Sequence, residues 1–315
     1  MYLKLKNIGK ITEAYIELKG MTVIAGENNT GKSTVSRALF SSFNSLYKYE
    51  EEIYNTRYQT VTRAISRFVN NEYSLIEQNF QFNELINDNL KEYINLIILN
   101  PEEENFNKQF QGIYELIIRG MTEYDLSENS ENDENSDNIK DLQLSIGDAL
   151  KISNQDIHNR LTTNIFRNEF DDQVNNLYVD GDAKIELVIK NDPTIFSVEK
   201  NAVKYIENPK VLKTQAVYID DPFVLDDKTN FWFMSIKNDH RSTLKRRLLE
   251  DSKSDTIEQI VVDKKIDKIF EKLNSVVNGE LISDGRRNIS YRPKEREESI
   301  RMSNISSGLK TFIII

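Results

Sequence analysis

Gly26-Glu27-Asn28-Asn29-Thr30-Gly31-Lys32-Ser33 is the stretch on which the fold of this chain turns. It fits the spacing G-x-x-x-x-G-K-[ST] without a gap, and both flanks have the character that spacing needs. Before it, Met21-Thr22-Val23-Ile24-Ala25 is nearly continuous in apolar residues and predicts a buried strand. After it, Val35, Ala38, Leu39, Phe43 and Leu46 fall on one face of a predicted helix. Glycines let such a loop curl until successive backbone N–H groups face one anion, and the helix N-terminus adds partial positive charge. A merely structural glycine turn would need neither flank. Gly26, Glu27, Asn28, Asn29, Thr30 and Gly31 are therefore the expected phosphate cradle. Lys32 is expected to reach the β- and γ-phosphates, Ser33 to ligate Mg²⁺, and Thr34 to add a hydroxyl contact.

Outward from the loop, Leu3 and Leu5 alternate with Lys4 and Lys6, and Ile16 and Leu18 with Tyr15 and Glu17, predicting two opening strands. From about Leu46 to Asn176 the pattern is helical and polar. Phe68, Tyr73, Ile76, Phe80, Leu85 and Ile86 suggest one helical pair, and Ile113 to Ile118 another. No heptad is sustained and no repeat of fixed period occurs, which argues against long coiled-coil arms. Ala183, Ile185, Leu187 and Ile189 alternate after Asp180-Gly181, and Ile195 to Val198 are expected to pair back across Asp192-Pro193. Asp180 and Asp182 sit where a turn tip explains them better than a metal does. Gln215 to Ile219 predicts a further strand, Ser235 to Leu249 and Thr256 to Val276 predict helices, and Gly279 to Arg292 a strand pair. In the second of those helices Val262, Ile266, Ile269, Phe270 and Leu273 form the apolar stripe.

Of the 315 residues 38% are hydrophobic, enough for a core, so wholesale disorder is excluded. No window approaches the roughly 18–20 apolar residues of a membrane span, and MYLKLKNIGK lacks a secretory apolar core. Without cysteine there are no disulfides, thiolate nucleophiles or thiolate metal sites. A cytoplasmic protein without a membrane partner is the expectation. The net charge of −10 is unevenly spread. Between Glu123 and Asp141 eight acidic residues face one base, Lys140, a net −7, which predicts an acidic loop and leaves the remainder near neutral.

The stretch from Leu3 to Thr34, with Lys6-Asn7-Ile8-Gly9 leading into GENNTGKST, resembles the N-terminus of ATP-binding-cassette ATPases of the SMC, RecF and OLD kind. Asn304-Ile305-Ser306-Ser307-Gly308-Leu309-Lys310 resembles the cassette signature turn. That resemblance implies that Ser306 and Gly308 touch the γ-phosphate of a nucleotide held by a second protomer. A plain N-cap on the apolar helix beginning at Leu309 is the competing explanation. Tyr218-Ile219-Asp220-Asp221-Pro222-Phe223-Val224-Leu225 is similar to a segment of bacterial stand-alone cassette ATPases, several of which serve anti-phage or abortive-infection systems. The resemblance implies an α/β fold. It is a P-loop cassette head, residues 1–45 and 205–315, with N-terminal antiparallel strands. A largely helical insertion, 46–204, would carry the acidic loop and the hairpin near 177–198.

Val217 to Asp221 also has the look of a Walker B strand, apolar residues ending in two acids. In the family the signature precedes Walker B, whereas here Ser306 follows, so the segment is placed at the strand leading to the family's Q-loop. No glutamine ends that strand. Asp220 is then either a substitute acid near Mg²⁺ or a turn acid. On that ordering Walker B and the switch histidine are missing, because His158 and His240 both precede the signature. The expectation is a C-terminally truncated head that binds nucleotide better than it hydrolyses it. Lys245-Arg246-Arg247 and Arg286-Arg287 are candidate nucleic-acid contacts or solvated faces. The expected function is an ATPase subunit, cofactors ATP and Mg²⁺, forming a homodimer with ATP between its heads. Such a dimer would control a nuclease or toxin effector in phage defence. A DNA-repair cassette and a nucleotide-gated module without turnover are the alternatives.

Overall fold

The computed structural model describes residues 1–72, 88–122, 134–226, 239–249, 271–273, 275–283 and 289–314. The protein is a mixed α/β chain that divides into two units, residues 1–45 with 162–315 and residues 46–161. Several sequence expectations lie outside the described residues. They are the helical residues Tyr73 to Ile86, the acidic stretch Glu123 to Asp133, the start of the helix from Ser235, most of Thr256 to Val276, and Arg286-Arg287. No helix among the described residues is long and apolar enough to cross a membrane.

The first unit is organised by a five-stranded antiparallel sheet. Its strands are β1 (Tyr2–Ile8), β2 (Ile11–Glu17), β3 (Ala183–Ile189), β4 (Asp192–Glu199) and β5 (Ala202–Glu207), in the order β2-β1-β3-β4-β5. Period-2 alternation sets the register, since a one-residue slip would turn every apolar side chain to solvent. Leu3 pairs with Leu187 and Leu5 with Ile185, all buried, while Lys4 faces Glu186 across the same ladder and bonds it at 2.9 Å. Phe196 of β4 lies beneath the sheet against Phe166, ring centroids 5.8 Å apart.

The hairpin expected near 177–198 is present, but it belongs to this sheet and not to the helical unit. Its turn is Lys190-Asn191, both left-handed, rather than Asp192-Pro193, which already pairs within β4. Lys200-Asn201 repeats the same left-handed pair between β4 and β5. Two positive-φ residues give a turn whose twist matches the strands, and asparagine tolerates that conformation.

The helix α1 (Lys32–Leu46) follows the glycine-rich loop. Two segments expected as strands, 21–25 and 215–219, are irregular and pair with no strand among the described residues. Met21 is 92% and Val23 80% exposed. An apolar run forms a buried strand only when neighbours complete its hydrogen bonds on either edge, and none of the described residues does so here. Near the C-terminus β6 (Gly279–Ser283) and β7 (Ile289–Pro293) form the strand pair read from the sequence, extended by the short β8 (Ile300–Arg301). Val224, Leu244, Tyr291, Met302 and Ile305 make a small second core here.

The second unit is helical: α2 (Tyr49–Glu72), α3 (Asp88–Leu99), α4 (Glu103–Thr122) and α5 (Glu134–Lys151), with α6 (Asn154–Phe170) beginning in it. Val61, Ile65, Ile94, Ile97, Ile113, Ile117 and Ile146 form its core. Gly112 is required because a Cβ there would lie 2.7 Å from the Tyr93 ring. The acidic loop expected through Asp141 gives way to helix at Glu134. Leu142, Ile146 and Leu150 on one face of α5 bury against that core and carry the acidic first turns with them.

Candidate functional site

The loop between residues 26 and 31 is shaped by its backbone. Asn29 is left-handed at φ 69° and Gly31 stands at φ 93°. A Cβ on Gly31 would also lie 3.0 Å from Ile11 Cγ1, so both conformation and space call for glycine. Thr30 donates its hydroxyl to the Glu27 carbonyl at 2.9 Å, and the Lys10 ammonium holds the Asn29 side chain. The helix α1 opens at once, its first backbone bond running from Val35 N–H to Gly31 O at 3.2 Å. Thr34 packs toward the β1–β2 turn, where a Cβ on Gly9 would come within 3.1 Å of its methyl. Asn28 and Ser33 are exposed.

Lys32 folds back over this loop. Its ammonium donates to the carbonyls of Gly26 at 2.9 Å and Glu27 at 2.5 Å. Among the described residues no acceptor takes the backbone N–H groups from Glu27 to Ser33. Free N–H donors, a helix N-terminus and a lysine bonded, among the described residues, only to neutral carbonyls fit a phosphate group, which would take up all three. Among the described residues no three His, Asp or Glu side chains cluster to hold a metal by themselves. A cation here would be shared between the Ser33 hydroxyl and phosphate oxygens.

Behind the loop lies a buried charge network that the sequence did not announce. Glu169, at the end of α6, has a fully buried side chain. Its Oε1 is 2.7 Å from His240 Nδ1 and its Oε2 accepts the His240 backbone N–H at 3.0 Å. Arg37 of α1 approaches the same carboxylate at 4.0 Å. On the other side His240 Nε2 is 3.0 Å from Asp220 Oδ1. These are ion-pair contacts, and neither ring N–H points in line at its oxygen. Arg241 then grips Asp220 with two N–H groups, at 3.2 and 2.9 Å. His240 and Arg241 open α7 (His240–Leu249).

Burial by itself would depress the His240 pKa. The carboxylates of Glu169 and Asp220 outweigh burial and hold it above its ordinary value. Asp220 goes the other way: burial would raise it, but Arg241 and His240 hold it below the usual carboxylate range. Asp220 is therefore engaged by two cations and does not stand free for Mg²⁺.

Tyr218 packs between this network and α1. Its ring lies 4.4 Å from the His240 ring and 6.3 Å from Phe40 of α1. Burial, chiefly, raises the phenol above its ordinary pKa, with the Asp220 charge adding to it, so the hydroxyl stays protonated.

The helix α8 (Ser307–Ile314) carries the second predicted cluster. Ser306 accepts the Leu309 N–H on its side chain at 3.4 Å, a long N-cap, and the Lys310 N–H on its carbonyl at 3.1 Å. Gly308 is open, with nothing within 4 Å of an added Cβ. Lys310 anchors the turn from below: it is 1% exposed, bonds Asp226 at 2.6 Å and lies 4.9 Å over the Phe223 ring. The cap and an open glycine coexist, so one does not displace the other.

Comparison with family models, curated proteins and solved structures finds no match for this chain. Glu169, His240 and Arg241 escaped the sequence reading because residues so far apart in the chain meet only through the fold. The sole signal was a histidine beginning a basic helix, which does not distinguish a network member from a surface residue.

Proposed function

We propose that this chain is a nucleotide-binding subunit that takes the triphosphate of ATP in the loop Gly26 to Thr34. The loop N–H groups, free among the described residues, and Lys32, bonded among them only to carbonyls, carry this reading. Gly26 to Gly31 would wrap the phosphates, Lys32 would neutralise the β- and γ-groups, and Ser33 would hold Mg²⁺. When bound, Mg²⁺ neutralises phosphate charge. Among the described residues no carboxylate pairs with Lys32, and Asp220 is already committed to His240 and Arg241. Binding, rather than turnover, is the activity these groups support.

The resemblance to cassette heads extends the proposal. Ser306 and Gly308 would face a nucleotide held by a second copy, and the ATP-closed homodimer would control a nuclease or toxin in phage defence. The open Gly308 supports the first half; the second half rests on the resemblance. Crosslinking with and without ATP tests the dimer. The proposal expects a dimer band that grows with ATP, and an unchanged oligomeric state would overturn it.

A further inference from the structure

The phosphate loop rests on the turn that joins β1 to β2. Ile8 and Ile11 pair across that turn, so Gly9 and Lys10 stand at its tip. Three successive turn residues meet the loop and the helix it opens. Gly9 lies against Thr34, where an added Cβ would come within 3.1 Å of the methyl. The Lys10 ammonium donates to the Asn29 side-chain oxygen. Ile11 lies against Gly31, where an added Cβ would come within 3.0 Å. On its other side the turn is tied down: the Gly9 N–H donates to the Val174 carbonyl at 2.9 Å, and the Asn7 carbonyl accepts the Asn176 N–H at 2.8 Å. The stem of Lys10 therefore starts from a fixed point beside the loop.

An exposed lysine ordinarily points its charge into water. Lys10 is exposed, yet its ammonium is bonded to the loop. Asn29 takes one of three N–H donors, which leaves two. Among the described residues Lys10 makes no ion pair, and Lys32 bonds only neutral carbonyls. Two ammonium groups thus sit on one short loop with no carboxylate to match either, and their repulsion is relieved by an anion carrying several charges. Backbone N–H donors that are free among the described residues stand in the same loop.

We propose that Lys10 is a second phosphate-binding lysine of this site: it keeps one donor on Asn29 and gives another to an oxygen of the polyphosphate chain whose other contacts are Lys32 and the loop N–H groups. The proposal rests on the nucleotide reading given above and adds to it a residue outside the loop. Because the ligand part concerned is the phosphate chain alone, neither base nor metal is needed to see the effect.

The test is isothermal titration of full-length protein with inorganic tripolyphosphate in EDTA, for wild type, K10A, K10Q, N29G and K10A/N29G, with circular dichroism as the check on folding. K10Q keeps an amide donor for Asn29 and removes the charge. N29G removes the Asn29 side chain and tolerates the left-handed backbone there. Both K10A and K10Q should lose about tenfold in affinity, the low end for a hydrogen bond to a charged group. In the N29G background K10A should still cost about tenfold, because the ammonium acts on phosphate directly. Wild-type affinity in folded K10A or K10Q overturns the proposal. So does a K10A substitution without effect in N29G, which would reduce Lys10 to a support for Asn29. Failure of the nucleotide reading looks different: wild type would then bind neither ATP nor tripolyphosphate, or K32A would bind both as tightly as wild type.

Discussion

Replacing Glu169 by glutamine tests whether the buried network is an energetic unit. The side chain is wholly buried, lies 2.7 Å from His240 Nδ1, accepts the His240 N–H at 3.0 Å and has Arg37 at 4.0 Å. Removing one partner of a buried pair typically costs about 3–5 kcal/mol, because the other charge is left without compensation. Glutamine keeps an acceptor for the backbone N–H, a bond with a net value of about 1 kcal/mol, so E169Q should cost about 2–4 kcal/mol. For a unit of roughly 200 residues, a loss of about 3 kcal/mol lowers Tm by about 6–12 °C.

The pH dependence follows from His240. Its native pKa is raised, so its contribution is fully present below its ordinary value of about 6.5 and disappears as pH rises through the native value. Glu169 supplies the foremost of the raising interactions, so the gap between wild type and E169Q should be widest at about pH 6 and narrower at about pH 9. Urea unfolding followed by far-ultraviolet circular dichroism at both pH values measures it. Equal stability of the two proteins, or a gap that does not change with pH, would mean that Glu169 and His240 are not energetically coupled.

Two further outcomes are expected. Gly31→Ala should cost about 1–3 kcal/mol from the left-handed conformation alone, with the approach to Ile11 adding to it, and should abolish ATP binding; unfolding and nucleotide titration together check this. Ile94→Ala removes a fully buried side chain from the helical core and should cost about 2–5 kcal/mol, measured as a fall in the urea midpoint; no change would mean that core is misassigned.

The elements legible in the sequence are those fixed by local pattern. Alternation along residues 2–8 and 183–189 specified both the strands and their buried faces. The spacing from Gly26 to Ser33 specified a loop opening a helix. What escaped the sequence depends on neighbours. Met21 to Ala25 and Gln215 to Ile219 have strand composition, yet a strand is completed by what lies beside it, and among the described residues nothing pairs with either. Asp192-Pro193 looked like a turn, but Lys190-Asn191 adopts the positive φ values the hairpin twist needs. The span from Glu134 to Asp141 looked like an extension of an acidic loop until Leu142 and Ile146 supplied a helical face. Glu169, Asp220 and His240 are single residues in unrelated contexts, and only the fold brings them together.

If the loop around Lys32 is a phosphate site, isothermal titration of wild type and K32A with ATP and Mg²⁺ will show it. Among the described residues the ammonium bonds only the Gly26 and Glu27 carbonyls, so its removal should leave the fold and the melting temperature nearly unchanged. Wild type should bind saturably and K32A should lose at least tenfold in affinity, about 1.4 kcal/mol, the scale of a charge-assisted bond. A folded K32A protein that binds ATP as tightly as wild type would contradict it.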